Sequence, residues 1–395
     1  MDDIDPKPAK KILFIGHDAS RTGAPIVLLH LLKWLRSNTG HEILVLIRGD
    51  GPLVESFRAV AETVVVKSAP PGNRLGRLVQ RLRNKINAAL RPPLPAAWEH
   101  IPIDLIYSNT ITNGVLVSKI AKPGVPVITH VHEMSYWIER SGADNLQRVM
   151  AQTSRFIAAS HAVRNNLTGK LKVPSELVEV VHEFIPNSDC IVDKKGGVRG
   201  KFGIPDDAIV VGGSGQESWR KGRDLFVQLA ANVHRILSSV EIHFLWVGYA
   251  GNADEQEKLA HDSILTGVGN RVHWTGEVSD PGRFFSEFDL FAMVSREDSF
   301  PLVCLEAALP GKPILCFADA GGIPELVEED AGFVVPYLDL HAMARRVVEL
   351  VENPDLRAKF GKRARNKVLE RHTIERAGPM ILDVIERELK RTKRS

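Results

Sequence analysis

KILFIGHDASRTGAPIVLLHLLKWLRSNTGHEILVLI, from Lys11 to Ile47, places two short apolar runs on either side of a helical pattern. KILFIG and EILVLI show little polar alternation, which marks strands buried on both faces of a parallel sheet. HDASRTGAP reads as a polar loop and IVLLHLLKWLRS as the crossover helix of a βαβ unit. The same grammar continues in TVVVK at Thr63, DLIYS at Asp104, PVITHVH at Pro126, RFIAAS at Arg155 and VEVVH at Val178. This makes one Rossmann-like half ending near Pro186. The Gly- and Lys-rich IVDKKGGVRGKFGIP (191–205) reads as a linker. A second series follows: IVVGGSG at Ile209, EIHFLWVG at Glu241, RVHWTG at Arg271, LFAMVS at Leu290, PILCFA at Pro313 and GFVVP at Gly332. From Leu340 the pattern is mostly helical. The halves share an architecture and no sequence repeat.

A chain of 395 residues suits two α/β domains rather than one core. We place the boundaries at 1–190 and 191–375, with a C-terminal helix and basic tail over 376–395. Lys plus Arg number 51 against 48 Asp plus Glu, a net charge of +3, which gives no general argument for nucleic acid. The three cysteines, Cys190, Cys304 and Cys316, form no CxxC pair, so a disulfide framework or zinc site is not expected and a reducing compartment fits. No apolar run approaches the roughly 18 residues of a membrane span, and the start is not of signal-peptide type. The expected location is cytoplasmic, with any membrane contact peripheral. Such contact could come from 74–91, where Arg74, Arg77, Arg81, Arg83 and Lys85 oppose Val79, Leu82 and Ile86. A solvated helix covering a sheet edge is the plainer alternative.

The richest segment chemically is SREDSFPLVCLEAALPGKPILCFADAGGIPELVEEDAGFVV, Ser295 to Val335. It reads as a strand end, a carboxylate-bearing loop, a helix start, another strand and a Gly-Gly loop. Free N–H groups of Leu302 and Val303 at the helix start attract phosphate. They would stand above the C-terminal edge of the sheet, where open α/β sheets bind ligands. Glu306 can accept from a ribose diol and Asp298 can grip sugar hydroxyls.

Asp298-Ser299-Phe300-Pro301-Leu302-Val303-Cys304-Leu305-Glu306 resembles the donor signature of family-four retaining glycosyltransferases, two acidic residues separated by seven others. There are two departures. Asp298 stands for the usual Glu and reaches less far. Pro301 stands for the second Gly and has no N–H, leaving the phosphate to Leu302 and Val303. Glu297 could contribute in a register shifted by one residue. In GGSGQESWRKGRDLFVQLA (212–230), Lys221 before Gly222 is similar to the family's diphosphate-binding lysine. The family's earlier Arg is replaced around Gly215 and Gln216, and Arg220 can substitute. Cations there stabilise charge on the leaving group. RVHWTGEVSD, with Thr275 and Gly276, resembles the segment that holds the base through its backbone. In GHDASRTGAP, Gly23 and Ala24 stand where the family keeps two small residues near the phosphates and acceptor. His132 of VITHVHEM matches the active-site His near the sugar, while His130 reads as structural. Asn109, Thr110 and Ser160 fall where the family lines its cleft.

The resemblance implies an α/β protein of GT-B fold, two Rossmann-like domains facing a central cleft, with the acceptor received by the first and the donor held by the second. It implies sugar transfer from a nucleoside diphosphate sugar to a hydroxyl of a glycan or lipid-linked glycan, with retention, in polysaccharide or lipopolysaccharide synthesis. Catalytic roles fall to Asp298, His132, Lys221 and Arg220, and donor contacts to Glu306, Leu302, Val303, Gly215, Thr275, Gly276, Ser299 and Phe300. No nucleophile stands with a base beside it, so front-face attack is expected, the leaving phosphate taking the acceptor proton. No cofactor and no metal are expected; Asp3-Ile4-Asp5 has a metal-binding form but precedes the first strand. The alternatives are a non-catalytic sugar-nucleotide-binding assembly subunit and a GT-B synthase with a small soluble acceptor.

Overall fold

The computed structural model describes residues 9–66, 94, 98–187, 197–216, 218–248 and 252–391. The basic segment 74–91, Asp3 and Asp5, Cys190, residues 191–196 of the linker and the last four residues lie outside the described residues. The chain divides into two compact units. The first takes residues up to Ala158, Asn166–Val181 and Gly378–Ser395; the second takes Ala159–Asn165 and His182–Ala377.

In the first unit, β1 (Lys11–Gly16), β2 (Glu42–Ile47), β3 (Glu62–Val65), β4 (Leu105–Ser108), β5 (Val127–Val131), β6 (Arg155–Ala158) and β7 (Val178–Val180) form one sheet. Its order is β3-β2-β1-β4-β5-β6-β7, and every pairing is parallel. Ile12, Leu13, Phe14 and Ile15 are fully buried, as a strand covered on both faces requires. The crossover helix Gly23–Asn38 begins three residues before the expected apolar run. Pro25 is tolerated there because first-turn N–H groups have no intrahelical acceptor.

In the second unit, β8 (Ile209–Ser214), β9 (Ile242–Val247), β10 (Val272–Trp274), β11 (Leu290–Met293), β12 (Ile314–Phe317) and β13 (Gly332–Val335) make a parallel sheet. Its order is β10-β9-β8-β11-β12-β13. Both sheets therefore reverse direction of strand addition beside their first strand, which defines the doubly wound Rossmann arrangement. Phe226 and Trp246, rings 5.1 Å apart, pack helix Arg223–Ile236 against β9 in the second core. No helix among the described residues is long and apolar enough to cross a membrane.

Helix Pro354–Arg371 fixes the segment after the Gly-Gly loop through one buried cation. Lys367, fully buried, donates to the carbonyls of Leu326 and Val327 at 3.2 and 3.3 Å and pairs with Glu328 at 2.8 Å and with Asp330. Hydrogen bonds from Lys367, seconded by Arg371 and Arg363, hold the Glu328 and Asp330 carboxyls below their ordinary values. A depressed folded pKa stabilises above the ordinary carboxylate range and is lost as pH falls through the folded value. Lys367→Met should cost about 2–3 kcal/mol in denaturant unfolding at neutral pH, less than a fully enclosed pair because both carboxylates are partly exposed. The variant should also lose stability less steeply on acidification. An unchanged denaturation midpoint would contradict this role.

Candidate functional site

At the reversal in the second sheet, β8 and β11 are neighbours whose following loops lead to opposite faces, the place where open α/β sheets form a ligand crevice beyond the C-terminal strand ends. After β8 the chain makes a short turn, Trp219–Lys221, capped by Ser218, whose hydroxyl accepts from Arg220 N. Gly222 then turns left-handed, φ +71°, into helix Arg223–Ile236, and a Cβ there would run into the carbonyl of Val294. The loops are also joined by Arg296 N donating to Arg220 O at 2.7 Å. Arg296 makes a bidentate bond to Asp224, at 2.9 and 2.6 Å. Burial pushes the Asp224 carboxyl up, but the Arg296 bonds and charge outweigh it and hold the group below its ordinary value.

This arrangement brings the expected charged residues together. Lys221 Nζ lies 2.6 Å from Asp298 Oδ2, and Arg220 Nη1 lies 4.0 Å from the same oxygen while donating to Glu297 O at 2.6 Å. Only 16%, 13% and 18% of the Lys221, Asp298 and Arg220 side chains are exposed. Arg220 Nε is buried and has no hydrogen-bond partner among the described residues. Gly215 closes β8, and a Cβ there would stand 2.9 Å from Lys221 Cδ, so the lysine stem uses the space the glycine leaves.

Asp298 is held by its backbone. Its N–H donates to Ala320 O at 2.7 Å, and its carbonyl accepts from Gly322 N at 3.3 Å. Gly321, at φ +138°, sits so close that a Cβ would overlap Asp298 O. The Gly-Gly pair is therefore a packing surface for the acidic loop. Ser299 and Phe300 are buried, and the Phe300 ring stacks on His372, centroids 5.0 Å apart. A ligand contact by Phe300 would have to use its backbone. Leu302 and Val303 open helix Leu302–Ala308 behind Pro301, and Glu306 lies half-buried on the same helix. Thr275 and Gly276 follow β10; Thr275 N donates to Trp246 O at 3.0 Å, and its hydroxyl accepts from Gly248 N at 3.3 Å.

The first unit has a polar cluster at its own reversal, after β1, β4 and β5. His132 Nε2 lies 3.1 Å from Asn109 Oδ1, and Asn109 Nδ2 donates to Ala24 O at 2.9 Å. His132 is thereby tied, through Asn109, to the start of helix Gly23–Asn38. A Cβ at Gly23 would meet nothing within 4 Å among the described residues, so their packing does not demand glycine there. Glu133 accepts from Thr110 Oγ1, from Ile111 N at 3.3 Å and from His132 N at 3.0 Å. His130 is fully buried, 2.8 Å from Tyr107 Oη, and burial followed by the His132 charge pushes its pKa well down. His17 is also shifted down, first by burial, against the raising influence of Asp18 and Glu133.

Glu133, His17 and Arg48 carry no assigned role in the sequence reading, yet they share this cluster. Arg48 donates to Thr112 O at 2.7 Å and to Asn113 Oδ1 at 3.0 Å. Each follows the C-terminal end of a buried strand by one or two residues, and that was the signal available. Ser160 is fully buried, its hydroxyl accepting from Val163 N at 3.1 Å.

Residues 196–367 match the family Glycosyl transferases group 1, and residues 21–188 match Glycosyltransferase Family 4. The O-antigen biosynthesis glycosyltransferase WclY of Escherichia coli is 30% identical over 317 residues, 77% of this chain and 79% of that protein. The D-inositol 3-phosphate glycosyltransferase of Streptomyces scabiei is 25% identical over 328 residues, covering 77% and 73%. The crystal structure of Anabaena Alr3699/HepE in complex with UDP and glucose superposes with TM-score 0.75 at 23% identity, over 95% of this chain and 99% of that one. WaaG, described as a glycosyltransferase involved in lipopolysaccharide biosynthesis, gives 0.68 at 16%, over 95% and 99%. With both halves matched and a relative at this identity and coverage, the chain belongs to the glycosyl transferases group 1 family and has the GT-B glycosyltransferase fold.

Proposed function

We propose that this chain transfers a sugar from a nucleoside diphosphate sugar to a hydroxyl of a growing surface glycan, with retention at the anomeric carbon. The observation that carries the reading is the Lys221–Asp298 pair at the strand-order reversal, with the Arg220 guanidinium 4.0 Å from the same carboxylate. Lys221 and Arg220 hold the diphosphate and stabilise the charge it gains as the glycosidic bond breaks. Leu302 and Val303 add N–H groups from the helix start. Glu306 accepts from the ribose, Asp298 from the sugar hydroxyls, and Thr275 and Gly276 border the base. His132, held by Asn109, is assigned to the transferred sugar. The acceptor proton passes to the leaving phosphate.

A uridine nucleotide is the donor to try first, because the Anabaena protein of this fold was captured with UDP and with UDP-glucose. An O-antigen or lipopolysaccharide acceptor is supported by the name of the Escherichia coli relative, and by a Rhizobium meliloti lipopolysaccharide core glycosyltransferase 26% identical over 165 residues. No metal or cofactor is assigned a step. Action at the cytoplasmic face of a membrane fits a lipid-linked acceptor.

Incubation with sugar nucleotides and lipid-linked acceptors, with product anomers read by NMR, tests the reaction; an inverted product would overturn the retaining assignment. In the same assay Lys221→Ala should lower kcat about 10²–10³-fold. Glu306→Ala should lower kcat/KM about 10- to 150-fold, the equivalent of about 1.5–3 kcal/mol of charge-assisted bonding. Wild-type kinetics in either folded variant would remove that residue from the site. Glu133→Gln keeps the side-chain shape and loses carboxylate charge. It should reduce kcat with little change in KM if Glu133 positions His132, whereas unchanged kcat would leave it a loop anchor only.

A further inference from the structure

Outside the residues assigned to sugar transfer, the second unit gathers His161, His182 and Glu325, which supply one ligand atom each, all within 4.8 Å of one another. They come from three separate places in the sequence: the start of helix His161–Asn165, the residue after Val181, and the segment Pro324–Val327 beyond the Gly-Gly loop. We propose that they form a binding site for one divalent cation of the zinc class, two imidazoles and a carboxylate, with remaining positions open to water. This ligand set matches the nitrogen and oxygen donors zinc accepts. The proposal concerns a site separate from the Lys221–Asp298 pair, and it stands or falls independently of the sugar-transfer reading.

The cluster is built in advance. Glu325 Oε1 accepts from Ala162 N at 3.0 Å; Oε2 accepts from His161 N at 3.0 Å and lies 2.6 Å from His182 Nε2. The two backbone donors fix the carboxylate plane, which is the work outer partners do in metal sites. An ionised carboxylate offers about four acceptor positions. The two backbone bonds leave room for a cation, which would replace the proton shared with His182. The His182 ring is set by its neighbours, with centroids 5.1 Å from Phe300 and 5.4 Å from His372. His161 is exposed, and its ring centroid is 5.7 Å from that of His182, giving entry from solvent. Tetrahedral zinc holds ligand atoms roughly 3.3 Å apart. The 2.6 Å His182–Glu325 contact would therefore open by about 0.7 Å, within reach of side-chain torsions. Metal binding would tie the three segments together.

The test uses the full, untagged chain, stripped with chelator, and titrated with Co²⁺ as a visible reporter and with Zn²⁺ by calorimetry. We expect one equivalent of Co²⁺ with a d–d absorption band, displaced by Zn²⁺, and a melting temperature that rises with Zn²⁺. His161→Ala removes one ligand and retains the backbone N–H that Glu325 uses, so its fold is preserved. It should weaken binding at least 10- to 100-fold. His182→Gln, which can still donate to Glu325, should do the same. No stoichiometric binding, or binding undiminished in both variants, would overturn the proposal and leave Glu325 as a helix cap only.

Discussion

The reversal of strand order beside β8 is the constraint on which the candidate site depends. Strands added on one side of β8 send their connections over one face of the sheet, and those added on the other side send theirs over the opposite face. The loops after β8 and β11 must part there, and the crevice between them cannot be filled by a crossover helix. What then brings Lys221 to within 2.6 Å of Asp298 is close backbone packing. Gly222 lets one loop ride on Val294, and Gly321 lets the Gly-Gly loop press on Asp298 from the other side. Side chains of opposite charge are held in a nearly buried place where each counts for more than it would in water.

The ion pair bears on the proposed sugar transfer. Lys221 pairs with Asp298 at 2.6 Å, so under the proposed function a diphosphate would compete with a carboxylate for the lysine. On that proposal, binding would be favourable when the sugar hydroxyls give Asp298 new partners while the phosphates take Lys221. The two ends of a sugar nucleotide would then compensate each other, and a bare nucleotide would do so less completely. Arg220, its guanidinium anchored on Glu297 O at 2.6 Å, would add positive charge beside the pair.

All thirteen strands of the described residues lie on runs that the sequence marks, because strands buried on both faces are written as unbroken apolar stretches between polar loops. The motif around Asp298 and Glu306 was equally visible, as was the Lys221-Gly222 pair. Other features were hidden for physical reasons. Helix Gly23–Asn38 swallows Gly23, Ala24 and Pro25, since a helix's first turn tolerates residues that look like loop. Phe300 looks like a site residue in one dimension and is a packing residue in three, stacked on His372 from more than seventy positions away. Glu133 bonds to Thr110 and Ile111, and Lys367 to Leu326 and Val327. Such pairings depend on how neighbouring strands and helices stack, which no local pattern encodes.

Whether the loops after β8 and β11 hold a nucleoside diphosphate through Lys221, as proposed, is decided by thermal shift. UDP, GDP, ADP and dTDP and their sugars would be screened against the wild type and Lys221→Ala, with and without EDTA. A nucleotide at about a hundred times its dissociation constant adds about 2.7 kcal/mol to stability, an easily read rise in melting temperature. One nucleotide, UDP first, should stabilise the wild type, its sugar conjugate should do so at lower concentration, and Lys221→Ala should lose most of the shift. No stabilisation by any nucleotide, or an equal shift in Lys221→Ala, would contradict it.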